Sequence, residues 1–117
     1  MSWSSDEGRV ELIARFTALP GRGEEVSHLL LALAAKVRGE PGCLAFEPYR
    51  VGPAPSGSGV AAELEPAGTG FVVIEAYRDR EAFEAHLAAE YGAVFNAALG
   101  PLIVEDGSVL TFMAQIG

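Results

Sequence analysis

Cysteine is almost missing from this chain: Cys43 is the only one in 117 residues. A single thiol rules out an intrachain disulfide and any Cys-x-x-Cys metal pair, and it fits a reducing cytoplasm. Nothing beside Cys43 activates a thiolate, so an inert buried thiol is expected. Basic runs are missing too. Eight Lys and Arg stand against sixteen Asp and Glu, for a net charge of −8. Such a chain offers no phosphate-binding face, so no nucleic-acid partner is expected. An anionic membrane surface would repel it. The longest purely apolar run, Leu29 to Ala35, falls far short of a membrane span. The polar, acidic start from Met1 to Gly8 lacks the basic and apolar regions of a signal peptide. A soluble, cytoplasmic protein is the expectation.

Several site types are absent as motifs. No Gly-x-Gly-x-x-Gly follows a strand pattern, and there is no Gly-x-Ser-x-Gly elbow. The two histidines, His28 and His86, are far apart, and no His, Cys or carboxylate cluster has metal-ligand spacing. The residues themselves advertise no metal, flavin or other cofactor.

What is present suffices for one domain over residues 1–117. Half the residues are hydrophobic, enough to bury a core without staples. Residues 1–8 read as a flexible tail. Val10 to Ala18 alternates as a strand, with Val10, Leu12, Ala14 and Phe16 on one face. Glu11, Ile13, Arg15 and Thr17 take the other. After the breakers Pro20, Gly21 and Gly23, helical spacing runs from Glu24 to Arg38 through Val26, Leu29, Leu30, Leu33 and Val37. Gly39 and Pro41-Gly42 end it.

Cys43 to Val51 reads as a second strand. Residues 52–70 are dense in Gly, Pro and Ser and read as an insertion loop, with a possible ordered piece at Val60 to Leu64. This loop is either an ordinary surface excursion or a flap or arm. Phe71 to Tyr77 is a third strand, apolar on both faces. Asp79 caps a helix reaching about Glu90, a helical piece follows from Ala93 to Leu99, and Val109 to Ala114 is the last strand. The order β-α-β-β-α-β suits an α+β ferredoxin-like sandwich with one antiparallel sheet. Two helices cover one sheet face. The apolar residues on the other, with Val72, Ile74 and Ala76 on the third strand, call for a second subunit packed sheet to sheet, hence a homodimer.

Phe71 to Leu87, FVVIEAYRDREAFEAHL, gathers the polar groups of interest. His86 shares a helix face with Ala82, Phe83 and Leu87 and can take or give a proton near neutrality. Its alternative is a half-buried histidine bonded to backbone. His28 reads as solvated. Tyr77 can orient a substrate oxygen or simply reach the rim of the core. Glu75 sits in an apolar strand, where an unpaired buried carboxylate costs several kcal/mol, roughly. It therefore lines a wet cavity or pairs, with Arg15 and Arg50 as candidate partners. Phe16, Phe46, Tyr49, Tyr91, Phe95 and Phe112 are candidates for the walls of a flat apolar pocket. Phe16, Phe46, Tyr77, His86 and Phe95 are expected to converge between the sheet and the later helices.

VELIARFTALPGRGEEV, EPGCLAFEPYR and FVVIEAYRDREAFEAHL together resemble the antibiotic biosynthesis monooxygenase family, from Val10 to Met113 apart from residues 52–70. The helical His86 stands at the matching place. The resemblance implies a dimeric α+β barrel. It also implies a cofactor-independent oxygenase for a small electron-rich aromatic or quinol, with O2 as co-substrate. His86 would then be base or proton shuttle. Tyr77 would orient a substrate oxygen, and Glu75 or Arg15 would tune the charge. A haem-degrading branch uses Asn, Trp and His where this chain has Ala14, Tyr77 and Asn96, which argues against haem. A third branch isomerises small carbonyl compounds on a helical His. That reading and a non-catalytic small-molecule binding role both stay open.

Overall fold

A computed structural model describes residues 8–60 and 68–117. Residues 1–7, most of the expected tail, lie outside the described residues, as does nearly all of the ordered piece expected at 60–64. The elements are β1 (Val10–Ala18), α1 (Gly23–Val37), β2 (Cys43–Arg50), β3 (Thr69–Tyr77), α2 (Arg80–Ala88), α3 (Glu90–Leu99), a short 3-10 turn (Gly100–Leu102) and β4 (Val109–Met113). The four strands form one antiparallel sheet in the order β2-β3-β1-β4. This is the expected α+β ferredoxin-like arrangement.

The expected loop at 52–70 is shorter at its far end. Residues 52–60 carry no helix or strand, but Thr69 and Gly70 already pair with Ala18 and Thr17. Gly68 makes the entry to β3. Its φ of 118° is in the left-handed range, and a Cβ there would lie 2.1 Å from the Ala18 carbonyl oxygen.

β1 and β3 alternate as their sequences require. Leu12, Ala14 and Phe16 of β1, with Phe71, Val73, Glu75 and Tyr77 of β3, turn toward the helices and are buried. Phe46 joins them from β2. Val26, Leu30, Ala34 and Val37 of α1 and Phe95 and Leu99 of α3 close the core from the other side. Leu29 and Leu33 pack at its edge.

α2 is held differently. Asp79 caps it, its side chain accepting from the Ala82 N–H at 2.8 Å. No α2 residue is fully buried, and Leu87, on the face it shares with Phe83 and His86, is 62% exposed. The helix stops at Ala88 because Ala89 is extended (φ −66°, ψ 131°). The chain turns there, and α3 starts at Glu90, earlier than the expected Ala93.

Among the described residues, no helix covers the opposite sheet face. Ile13, Ile74, Glu47 and Thr111 are register partners across it, as are Arg15, Val72, Tyr49 and Val109. Among the described residues, no helix is long and apolar enough to cross a membrane.

Candidate functional site

β3 carries the buried charge. Glu75 pairs in register with Leu12 on one side and Phe46 on the other, so its side chain points toward the helices among apolar neighbours. It is 7% exposed. The expected ion pair with Arg15 does not form, because Arg15 is an outward residue of β1, paired with Val72. Arg50 instead lies 3.8 Å from Glu24. Glu75 is satisfied from its own strand: the Tyr77 hydroxyl donates to Oε1 at 2.7 Å. Residues two apart share a strand face, which makes this reach possible. Burial pushes the Glu75 carboxyl above its ordinary range, against the opposing pulls of the Tyr77 hydrogen bond and of His86. Burial, with Glu75 beside it, pushes the Tyr77 phenol far up, so it stays a donor.

His86 faces this carboxyl from α2. Its Nε2 lies 3.9 Å from Glu75 Oε1, too far for a hydrogen bond. Its ring packs against Tyr77, with centroids 4.9 Å apart, and against Phe46 at 6.3 Å. Its other nitrogen, Nδ1, lies 3.1 Å from Oε2 of Glu40. The Tyr91 hydroxyl donates to that same Glu40 oxygen. Burial, followed by the Glu40 carboxylate, pushes the Tyr91 phenol up to about 12.

Glu40 is the site residue that sequence reasoning missed. Its Glu-Pro-Gly context marked a helix end, and nothing local pointed to a partner 46 residues later. Gly42 beside it makes the meeting possible. A Cβ there would fall 2.3 Å from the Ala82 Cβ, so glycine lets the turn press against α2. The Arg78 N–H donates to the Gly42 carbonyl at 2.8 Å. These contacts bring Glu40 up to His86.

Glu75 and His86 lie on the wall of a cavity of about 140 Å³. Phe16, Phe46, Val73, Phe83 and Phe95 belong to its apolar lining, and Leu87, Asn96, Ser108 and Leu110 stand among its exposed residues. Among the described residues, no Lys or Arg lines it. Its size matches the roughly 150 Å³ that takes one benzene ring. It holds a carboxyl and an imidazole side by side against a ring-sized apolar space, an arrangement suited to proton transfer on an organic molecule.

Of the expected site residues, Phe16, Phe46, Glu75, His86 and Phe95 meet at this cavity. Tyr77 does not line it. It is fully buried behind Glu75, its hydroxyl committed there, so the expected direct contact with substrate is corrected to support of Glu75. Arg15 and Tyr49 register with Val72 on the helix-free sheet face, on the wrong side for this cavity. Tyr91 is drawn away by Glu40 and lines a shallow groove between α1 and α3. Phe112 is 57% exposed and stands edge-on to Phe83 at 5.7 Å, outside the lining. His28 is exposed, as expected. Cys43 is partly buried, and burial raises its thiol pKa. Among the described residues, no three His, Cys, Asp or Glu side chains are placed to hold a metal ion.

The fold and sequence both have relatives. Rv0793 from Mycobacterium tuberculosis is similar at 25% identity and a TM-score of 0.72, covering 93% of this chain and 96% of its own. PA3566 from Pseudomonas aeruginosa is similar at 24% identity and a TM-score of 0.73, with 97% and 100% covered. A solved structure named antibiotic biosynthesis monooxygenase matches at 24% identity and a TM-score of 0.71, with 92% and 99% covered. No curated protein matches. The antibiotic biosynthesis monooxygenase family matches residues 9–98, from the start of the described sheet to the last turn of α3. That stretch holds Glu40, Glu75 and His86, and the chain belongs to this family.

Proposed function

We propose that this protein is a monooxygenase that oxidises a small electron-rich aromatic or quinol, with the deprotonated substrate supplying electrons to O2. The observation that carries this reading is the 3.9 Å juxtaposition of His86 Nε2 and Glu75 Oε1 on the wall of a ring-sized apolar cavity. A phenolic ring enters between Phe16, Phe46 and Phe95. His86 takes a proton from it. Glu75, whose carboxyl is biased toward its neutral form, donates a hydrogen bond to the developing oxyanion. The resulting anion gives its electrons to O2: one oxygen atom bonds to a substrate carbon, the O–O bond breaks, and the other oxygen leaves as water with the two hydrogens the substrate loses, so that the substrate itself is the reductant. The site is sized for one ring, so a fused substrate would project through the mouth past Leu87 and Leu110.

Family membership supports oxygenase chemistry as a class. A second reading has its own support: an imidazole and a carboxyl side by side also suit cofactor-free isomerisation of a carbonyl compound by proton transfer. Incubation with quinols, anthrones and dihydroxynaphthalenes under 18O2 separates the two. One labelled oxygen in the product supports the oxygenase. Rearranged, unlabelled product supports the isomerase, and binding without turnover leaves a binding module.

Proteins of this family are typically dimeric. The helix-free sheet face, with Ile13, Val72 and Ile74 at its centre, supports a sheet-to-sheet homodimer here. The lone cysteine supports a cytoplasmic place.

A further inference from the structure

We propose that Glu40 is a positioning residue for His86, fixing the ring proton on Nδ1 so that Nε2 presents its lone pair to the cavity. The inference rests on the reading of His86 as the base. A carboxylate oxygen only accepts hydrogen bonds. With Glu40 Oε2 at 3.1 Å, the neutral imidazole must carry its proton on Nδ1 to make the contact. The bare nitrogen is then Nε2, the one on the side of Glu75. In water histidine favours the opposite tautomer, so the bias is a property of the site.

Glu40 is built to hold this place. Its side chain is only 16% exposed. The Tyr91 hydroxyl, from α3, donates to the same oxygen and remains protonated through the physiological range. Pro41-Gly42 fixes the turn against the start of α2, where Gly42 allows contact with Ala82. One carboxylate thus ties together the α1–β2 turn, α2 and α3. The other groups facing His86 are Glu75 and Tyr77 from β3, Phe46 from β2 and Phe83 from its own helix. Of these, neither titratable group approaches Nδ1 within hydrogen-bond distance. The logic is that of any base oriented by a carboxylate at its far nitrogen.

The test reads the tautomer directly and needs no substrate. Long-range 1H–15N spectra of 15N-labelled protein are recorded at a pH where His86 is neutral. Wild type should show the Nδ1–H form in the majority. Glu40→Leu should move the majority to Nε2–H. Should that variant fail to fold, Glu40→Gln serves. Its amide can accept from Nδ1 or donate to it, so the bias should drop toward a mixture. Wild-type tautomer populations in the variant that folds would overturn the proposal. Turnover in parallel keeps the two claims apart. A tautomer that follows Glu40 in a protein that oxidises nothing sustains the positioning and removes the oxygenase. A wild-type oxidation rate in Glu40→Leu, with His86→Ala inactive, does the reverse.

Discussion

His86 Nε2 lies 3.9 Å from Glu75 Oε1, the same oxygen that accepts the Tyr77 hydroxyl at 2.7 Å. The carboxyl is therefore held from behind by a phenol and faced from the front by an imidazole. The two groups are neighbours across 3.9 Å with no direct hydrogen bond between them.

The buried carboxyl makes stability depend on pH. Its folded pKa is raised above the ordinary 4.5, so folding favours the neutral form. That contribution is fully present below the ordinary value and is lost as pH rises through the folded one. Glu75→Gln cannot ionise and lacks this slope. Thermal melts across pH should show wild type losing stability relative to Glu75→Gln as pH climbs above 4.5. Parallel curves would show that Glu75 does not titrate abnormally.

Tyr77 should matter through Glu75. Tyr77→Phe leaves a buried acceptor without its donor, at a cost of about 1–3 kcal/mol. In a Glu75→Leu background the same change should cost much less. A double-mutant cycle from urea unfolding measures this coupling, and additive effects would deny it.

Gly42 should be intolerant. Gly42→Ala puts a methyl 2.3 Å from the Ala82 Cβ. Overpacking of this kind costs typically 1–3 kcal/mol. The variant should also separate Glu40 from His86, visible as a changed His86 ring signal. An unchanged midpoint and ring signal would mean that the turn relaxes freely.

Much of this was legible along the strands. Alternation placed Phe71, Val73, Glu75 and Tyr77 together, and the same parity put Arg15 with Ile13 on the opposite face. Pairing Arg15 with Glu75 contradicted that parity: Glu75 registers with Leu12, an inward residue of β1. Same-strand satisfaction by Tyr77 was open to the same reasoning and went unseen. Helix periodicity found Val26, Leu30 and Val37, and put Leu87 on one face with Phe83 and His86, all three of which line the cavity. Glu40 was beyond reach, since its meeting with His86 depends on how a turn and a helix pack, which no local pattern encodes.

The helix-free sheet face should hold two chains together. Ile74 is 41% exposed there, opposite Ile13 and Glu47. Ile74→Glu would put a charge into the proposed interface. Sedimentation should give twice the chain mass for wild type and the single mass for the variant. A wild-type monomer at micromolar concentration would reject the dimer.

Oxygen uptake with an electron-rich quinol, compared between wild type and His86→Ala, reads whether His86 takes the substrate proton. Loss of a general base lowers the rate about 10²–10⁴-fold. Wild type should show enzyme-dependent uptake, reduced by that range in the variant, with the fold intact by circular dichroism. Equal uptake by the two proteins, or none by wild type across the panel, would contradict it.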